Sequence, residues 1–358
     1  MSHRNLFVAA ASGLVIAVLV AVAPVRGAGW NPQLAAKYLD DRQRDWFAWP
    51  QAQSKDGPCV SCHTGMPYLL ARPALRRLLN EPQPTMYETG LLNRLRANAG
   101  AKPAGALQSV ETIFAAMLLP QGDAAQAATF DQLWALQQKD SELKGGWKWY
   151  AANLEPWETP PQFRFGASLA ALAIGSAPAD LRDAERIRAL DRYLQDDVQS
   201  CPLHARVAML WASTKLPSIL AAPARQAIID ELLKKQQADG GWTLESLGPW
   251  TEHPAAPVSP TAGASDSYAT AFTAFVLKQG LGARDSGLAT KGSGLGTRDS
   301  LRSSINRALD WLRAHQDPQT GAWPAVSMNK KYPAGSMQEK FLQDAATAFA
   351  AAALSSRE

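Results

Sequence analysis

The sequence predicts an all-α fold, six helical hairpins closing on themselves into an (α/α)6 toroid. Three observations predict it. A Gln…Gly-x-Trp element recurs at the ends of polar, amphipathic segments. Each copy is followed by a second helical segment rich in Ala, Gly, Ser and Thr. No stretch alternates apolar and polar residues as a half-buried strand would.

The recurring element runs Leu136-Gln137-Gln138 to Gly145-Gly146-Trp147, then Gln236-Gln237 to Gly240-Gly241-Trp242, then Gln316 to Gly321-Ala322-Trp323. A degenerate copy surrounds Leu190 to Gln195, and Trp49-Pro50 echoes Trp323-Pro324. The glycines suit a left-handed helix C-terminus. The indole can cover the helix end while its N–H finds a carbonyl or the Gln amide. The following segments, such as Phe165–Leu172 and the Ala-Thr-Ala-Phe runs ending at Phe272 and Phe349, carry small residues that let helices crowd into an inner ring.

Pairing outer with inner segments in chain order gives 33–49 with 62–80, 84–98 with 106–119, and 125–139 with 163–175. The remaining pairs are 180–197 with 202–214, 222–237 with 265–279, and 301–316 with 340–355. Pro73 is expected to interrupt the first inner segment, because an internal proline removes a helix hydrogen bond. The near-repeat Gly280–Ser286 and Gly294–Ser300 reads as a flexible linker between inner helix five and outer helix six. An open solenoid of the same hairpins is the alternative, although no polar capping repeat stands out.

The chain has 358 residues, 46% of them hydrophobic, and a net charge of +4 with scattered Lys and Arg. No basic stripe points to nucleic acid. His3 and Arg4 precede an apolar run from Leu6 to Ala23, and small residues follow near Val25–Ala28. This reads as a secretory signal over residues 1–28, leaving a single domain over 29–358. The run is also long enough for an uncleaved anchor, which is the only route to membrane association that the sequence offers. The chain is therefore expected to be exported, to the periplasm of a bacterium.

The most telling motif is Cys59-Val60-Ser61-Cys62-His63. CxxCH is the attachment signature of a c-type haem: two thiols form thioethers with one porphyrin and the next residue gives its imidazole to iron. The cofactor expected is one covalent haem c held by Cys59, Cys62 and His63. A zinc knuckle would need further ligands, and the chain has only three cysteines. A thioredoxin-like pair wants a preceding strand, whereas Lys55-Asp56-Gly57-Pro58 reads as loop. Cys201, the third cysteine, reads as a buried free thiol.

The Gln…Gly-Gly-Trp elements resemble the QW repeats of squalene–hopene cyclases and related terpenoid cyclase and prenyltransferase toroids, most clearly at Trp147, Trp242 and Trp323. The resemblance covers most of the mature chain, and the whole looks like bacterial squalene-cyclase-like proteins with a CxxCH near the start. It implies the toroid and carries no reaction with it. The cyclases protonate an alkene with an Asp-x-Asp-Asp motif, which this chain lacks. Asp40-Asp41 and Asp196-Asp197 are bare pairs that read as solvated carboxylates on outer helices. The zinc site of the prenyltransferases is not apparent either.

In a toroid, every connection from outer to inner helix emerges on one face. Those connections are long here: 51–58, 148–162, 243–264 and 324–339. The haem motif is expected at the mouth of the central cavity on that face. The aromatic loop from Trp147 to Glu158 offers Glu155 and Glu158 as candidate proton donors; otherwise they cap inner helix three. Ser265 or Asp266 reads as a helix N-cap. Met66, three residues after His63, is on the wrong side of the ring for a sixth ligand. His253, Met328 and Met337 are the candidates, beside an open position, while His204 is expected to be too far and His315 structural.

Three functions compete. One is a periplasmic monohaem cytochrome exchanging electrons with a redox partner. The second is a haem enzyme acting on an apolar, isoprenoid-like small molecule. The third is a cyclase-like or lipid-binding protein with haem as a structural plug.

Overall fold

A computed structural model describes residues 29–101, 106–259, 261–282 and 295–356. The expected signal segment 1–28 lies outside the described residues, as do 283–294 of the expected linker. The protein is all-α. Its helices are α1 (Pro32–Ala48), α2 (Gly65–Leu78), α3 (Met86–Asn98), α4 (Ala106–Leu118), α5 (Gln126–Leu136) and α6 (Phe163–Ser176). They continue with α7 (Ala184–Gln195), α8 (Leu203–Ser213), α9 (Ala222–Lys235), α10 (Ser267–Gly282), α11 (Leu295–Ala314) and α12 (Phe341–Ser355). One short hairpin pairs β1 (Gln53–Ser54) with β2 (Gly57–Pro58), Gln53 opposite Pro58. No helix among the described residues is long and apolar enough to cross a membrane.

Burial alternates along the chain. Every residue of α8 is buried, as is every residue of α6 from Phe165 to Ile174. By contrast, α7 buries only Leu190, Tyr193 and Leu194. The even-numbered helices can be buried all round because Ala, Gly, Ser and Thr dominate where they face one another. α4 packs on α2 and α6, α8 on α6 and α10, and α12 on α10 and α2. The odd-numbered helices lie outside, α1 against α2 and α12, α11 against α10 and α12. Between the inner helices, the fully buried rings of Phe165, His204, Tyr268, Phe272 and Phe349 touch one another.

The recurring elements act alike. Trp147, Trp242 and Trp323 each donate an indole N–H, at 2.8 Å, to a carbonyl near the end of the preceding outer helix: Leu133, Leu232 and Leu312. Gln137, Gln236 and Gln316 donate to the carbonyls of Gly145, Gly240 and Gly321, all three with positive φ. The same amides reach the next outer helix, at Arg186 of α7, Ser304 of α11 and Asn31 before α1.

Four expectations are corrected. Pro73 sits inside α2 without ending it, because that helix is held by burial against α12 and α4. Asp40 is not a solvated carboxylate; it takes hydrogen bonds from Arg72 Nε at 3.0 Å and the Tyr68 hydroxyl at 2.9 Å, joining α1 to α2. Outer helix six starts earlier than residue 301, so the second half of the expected linker, from Leu295, is helix, and Gly280–Gly282 ends α10. Outer helix four starts later, at Ala184, because Asp183 caps it through the amides of Glu185 and Arg186.

Candidate functional site

The Cys59–His63 segment is the entry to α2. Ser61 Oγ accepts from the amides of Thr64 and Gly65 at 3.1 Å, satisfying donors at the helix start. Trp46 of α1 donates to the Cys59 carbonyl at 2.8 Å, and Glu111 of α4 accepts from the Val60 amide at 3.1 Å. A Cβ on Gly65 would press against Val60, so the turn closes tightly. The segment is thus fixed by α1, α2 and α4 together.

Cys59 and Cys62 are both free thiols, half-buried and buried respectively. Burial pushes the Cys59 thiol up to about 11, helped by the nearby Glu111 carboxylate. Burial, then Glu158, also raises Cys62. Both shifts run opposite to the lowered thiol pKa of a dithiol redox centre. Among the described residues, no group of three or more His, Cys, Asp or Glu side chains is arranged to hold a metal ion. Cys201 is buried and free.

His63 is only 8% exposed. Its ring stacks on Phe341 of α12, centroids 3.6 Å apart and planes at 17°, and meets the edge of Trp46 at 5.4 Å. Burial, then the Arg42 charge, lowers its pKa to about 3, so the imidazole is neutral. The tautomer follows from the hydrogen bonds. Thr64 Oγ1 lies 2.9 Å from His63 Nδ1 and 2.9 Å from Asp344 Oδ2. Asp344 is 2% exposed and also accepts from Arg42 Nε at 2.7 Å, Arg42 Nη2 at 3.1 Å and the Tyr38 hydroxyl at 2.8 Å. A carboxylate held this way by Arg42 is acceptor-only, so the Thr64 proton points to it. The Thr64 oxygen then accepts from Nδ1, and Nε2 carries no proton.

His63 lines a cavity of about 50 Å³ whose walls include Trp157, Glu158, Met328, Tyr332 and Phe341. The donor set fits a haem c on two counts: two free thiols spaced for thioethers and an adjacent neutral imidazole. Neither cysteine lines the cavity itself, and Cys62 is buried.

The other predicted residues separate clearly. Met328 lines the cavity with His63. Its neighbour Asn329 holds that loop to Glu155, whose amide donates to Asn329 Oδ1 at 2.7 Å and whose carbonyl accepts from Nδ2 at 2.8 Å. Met337 is engaged elsewhere: its sulfur accepts from Arg42 Nη1 at 3.3 Å and its carbonyl from Nη2 at 3.2 Å. His253 lies outside the cavity wall, with Nε2 buried and without a hydrogen-bond partner. His204 sits among the central rings, bonded to Gln162 and Tyr268 at 2.8 Å each. His315 stacks on Trp311 at 3.9 Å within the outer layer.

Glu155 and Glu158 both line the cavity, and neither caps α6, whose N-cap Gln162 makes no side-chain cap bond. A backbone bridge between Leu154 and Glu158 folds the intervening loop back on itself and turns both carboxylates inward. Glu155 Oε1 accepts from Thr159 Oγ1 at 3.1 Å and the Thr251 amide at 2.9 Å, tying the loop to its neighbour; Oε2 is buried without a partner. Burial holds the Glu158 carboxyl up at about 7. Asp266 caps α10 through the amides of Tyr268 and Ala269, as expected.

Sequence reasoning missed Thr64, Phe341, Arg42 and Asp344. One signal was available: Asp344 is the only charged residue of α12. No family model matches this chain, and no curated protein matches it.

Proposed function

We propose that the six hairpins close into an α/α toroid and that this is an exported c-type monohaem protein passing electrons to or from a periplasmic redox partner. The contacts of α12 with both α10 and α2, and the bonds from Gln316 to Asn31, support the closed ring. The observation that carries the functional reading is the meeting of His63, its Nε2 unprotonated, and Met328 at one cavity.

When bound, haem would supply a one-electron couple whose potential depends on axial ligands, burial and nearby hydrogen bonds. Cys59, Cys62, His63 and Met328 would hold it. Phe341 and Trp46 fix the plane of the imidazole. Trp157, Tyr332 and Phe341 give the cavity an aromatic wall. Asn329 keeps the Met328 loop in place through the Glu155 backbone.

A second reading is a haem enzyme acting on an apolar, isoprenoid-like substrate. Glu158 favours it, since a carboxyl held at about 7 in the same cavity is suited to general acid–base work. The rings packed between the inner helices leave the cavity at the loops, rather than the ring centre, as the place for such a substrate. Reduced-minus-oxidised spectra of exported protein, with and without carbon monoxide, separate the two. An electron carrier with Met328 on iron binds carbon monoxide slowly; rapid binding supports the enzyme. His63→Ala should abolish the c-type spectrum, and an unchanged spectrum removes His63 from the site.

A further inference from the structure

We infer that Thr64 and Asp344 are positioning residues for His63, acting as a hydroxyl relay from a buried, arginine-paired carboxylate to the imidazole. The inference rests on the haem reading above. His63, Thr64 and Asp344 form a chain of two 2.9 Å hydrogen bonds. Arg42 and Tyr38 of α1 occupy the remaining lone pairs of Asp344, so its orientation leaves Thr64 one place to donate. Gln43 Nε2 donates to the Thr64 carbonyl at 2.9 Å and pins the backbone of the relay.

Three consequences follow for the imidazole. The proton is fixed on Nδ1, which leaves Nε2 as the ligating nitrogen. The ring cannot rotate, because the relay holds one edge and Phe341 one face. Electron density is pushed toward Nε2, because a hydroxyl whose own proton goes to a carboxylate accepts more strongly. A more basic ligand favours ferric over ferrous iron, and such outer partners tune metal sites substantially. The relay also crosses the chain. His63 and Thr64 open α2, while Asp344 and Phe341 belong to α12, the last helix. The motif near the start of the chain is therefore oriented only once the final helix has docked.

The test is the reduction potential of the haem-loaded full-length protein. Thr64→Val keeps the volume and removes the hydroxyl. It should shift the one-electron equilibrium toward ferrous by about tenfold, an upward move of 59 mV. Thr64→Ser should restore the wild-type value, which a packing role would not predict. Asp344→Asn should move the potential in the same direction as Thr64→Val. Thr64→Ala is the second hydroxyl-free variant. A wild-type potential in whichever of the Val and Ala variants carries haem overturns the relay. Loss of haem from both, with retention in Thr64→Ser, supports it. Wild-type protein without haem would instead fail the reading on which the relay stands.

Discussion

Gln316 and Asn31, 285 positions apart, bond to each other twice: the Asn31 amide donates to Gln316 Oε1 at 2.6 Å, and Gln316 Nε2 donates to the Asn31 carbonyl at 3.0 Å. The last recurring element thus grips the start of the first helix, as Gln137 and Gln236 grip α7 and α11. Gln316→Ala should cost about 1 kcal/mol in denaturant unfolding, since the bonds are exposed. Gly321→Ala should cost more, about 2 kcal/mol, because Gly321 has φ +77 and its Cβ would run into the backbone of Leu34. Equal, negligible effects would show that this junction contributes nothing to stability.

Hydrogen bonds around Tyr268 predict a second cost. The Tyr268 hydroxyl serves His204 Nε2 at 2.8 Å and the Trp157 indole at 3.1 Å, all buried. Tyr268→Phe leaves both without that partner and should destabilise by about 1–3 kcal/mol. Thermal unfolding of the variant checks this, and an unchanged midpoint would mean that the network is neutral.

Much of this architecture was legible in the chain. Small-residue segments and the Gln-to-Trp spacing located the twelve helices of the described residues, because both reflect local backbone and face requirements. Trp147, Trp242 and Trp323 do what their position beside a helix end implies. What failed was decided by tertiary contacts. Asp40 looked solvated until Arg72 and Tyr68 were placed against it, and Pro73 looked disruptive until α2 was seen held on two sides. The Cys59–His63 motif could be read directly. Thr64–Asp344 could not, because its partners are 280 positions apart. Met328 and Met337 looked equivalent until Arg42 was found bonded to the latter.

Those methionines give a third prediction. If Met328 holds a bound haem as proposed, Met328→Ala should open the iron to carbon monoxide and shift the one-electron equilibrium toward ferric by about tenfold or more, since methionine ligation raises the potential. Met337→Ala and His253→Ala should leave both properties near wild type. Titration under carbon monoxide reads the difference; a wild-type response in Met328→Ala would remove it from the site.

Glu158 makes stability depend on pH. Its folded pKa, about 7, is above the ordinary 4.5, so the folded state binds more protons between those values. Stability attributable to this group is present below pH 4.5 and is lost as pH rises through 7, by a total on the order of 3 kcal/mol. His63 and His204, both lowered to about 3 by burial, act in the opposite sense below pH 6.5. The comparison must therefore be between wild type and Glu158→Gln. The variant should gain stability relative to wild type at pH 8 over pH 4; a constant difference between the two would contradict a buried carboxyl.

The most direct measurement is the intact mass of protein matured in a haem-attaching periplasm, beside a Cys59→Ala/Cys62→Ala double variant. The account predicts that wild type carries the added mass of one haem, retained after denaturation, and that the double variant does not. A wild-type mass equal to the bare polypeptide, in colourless protein, would contradict it.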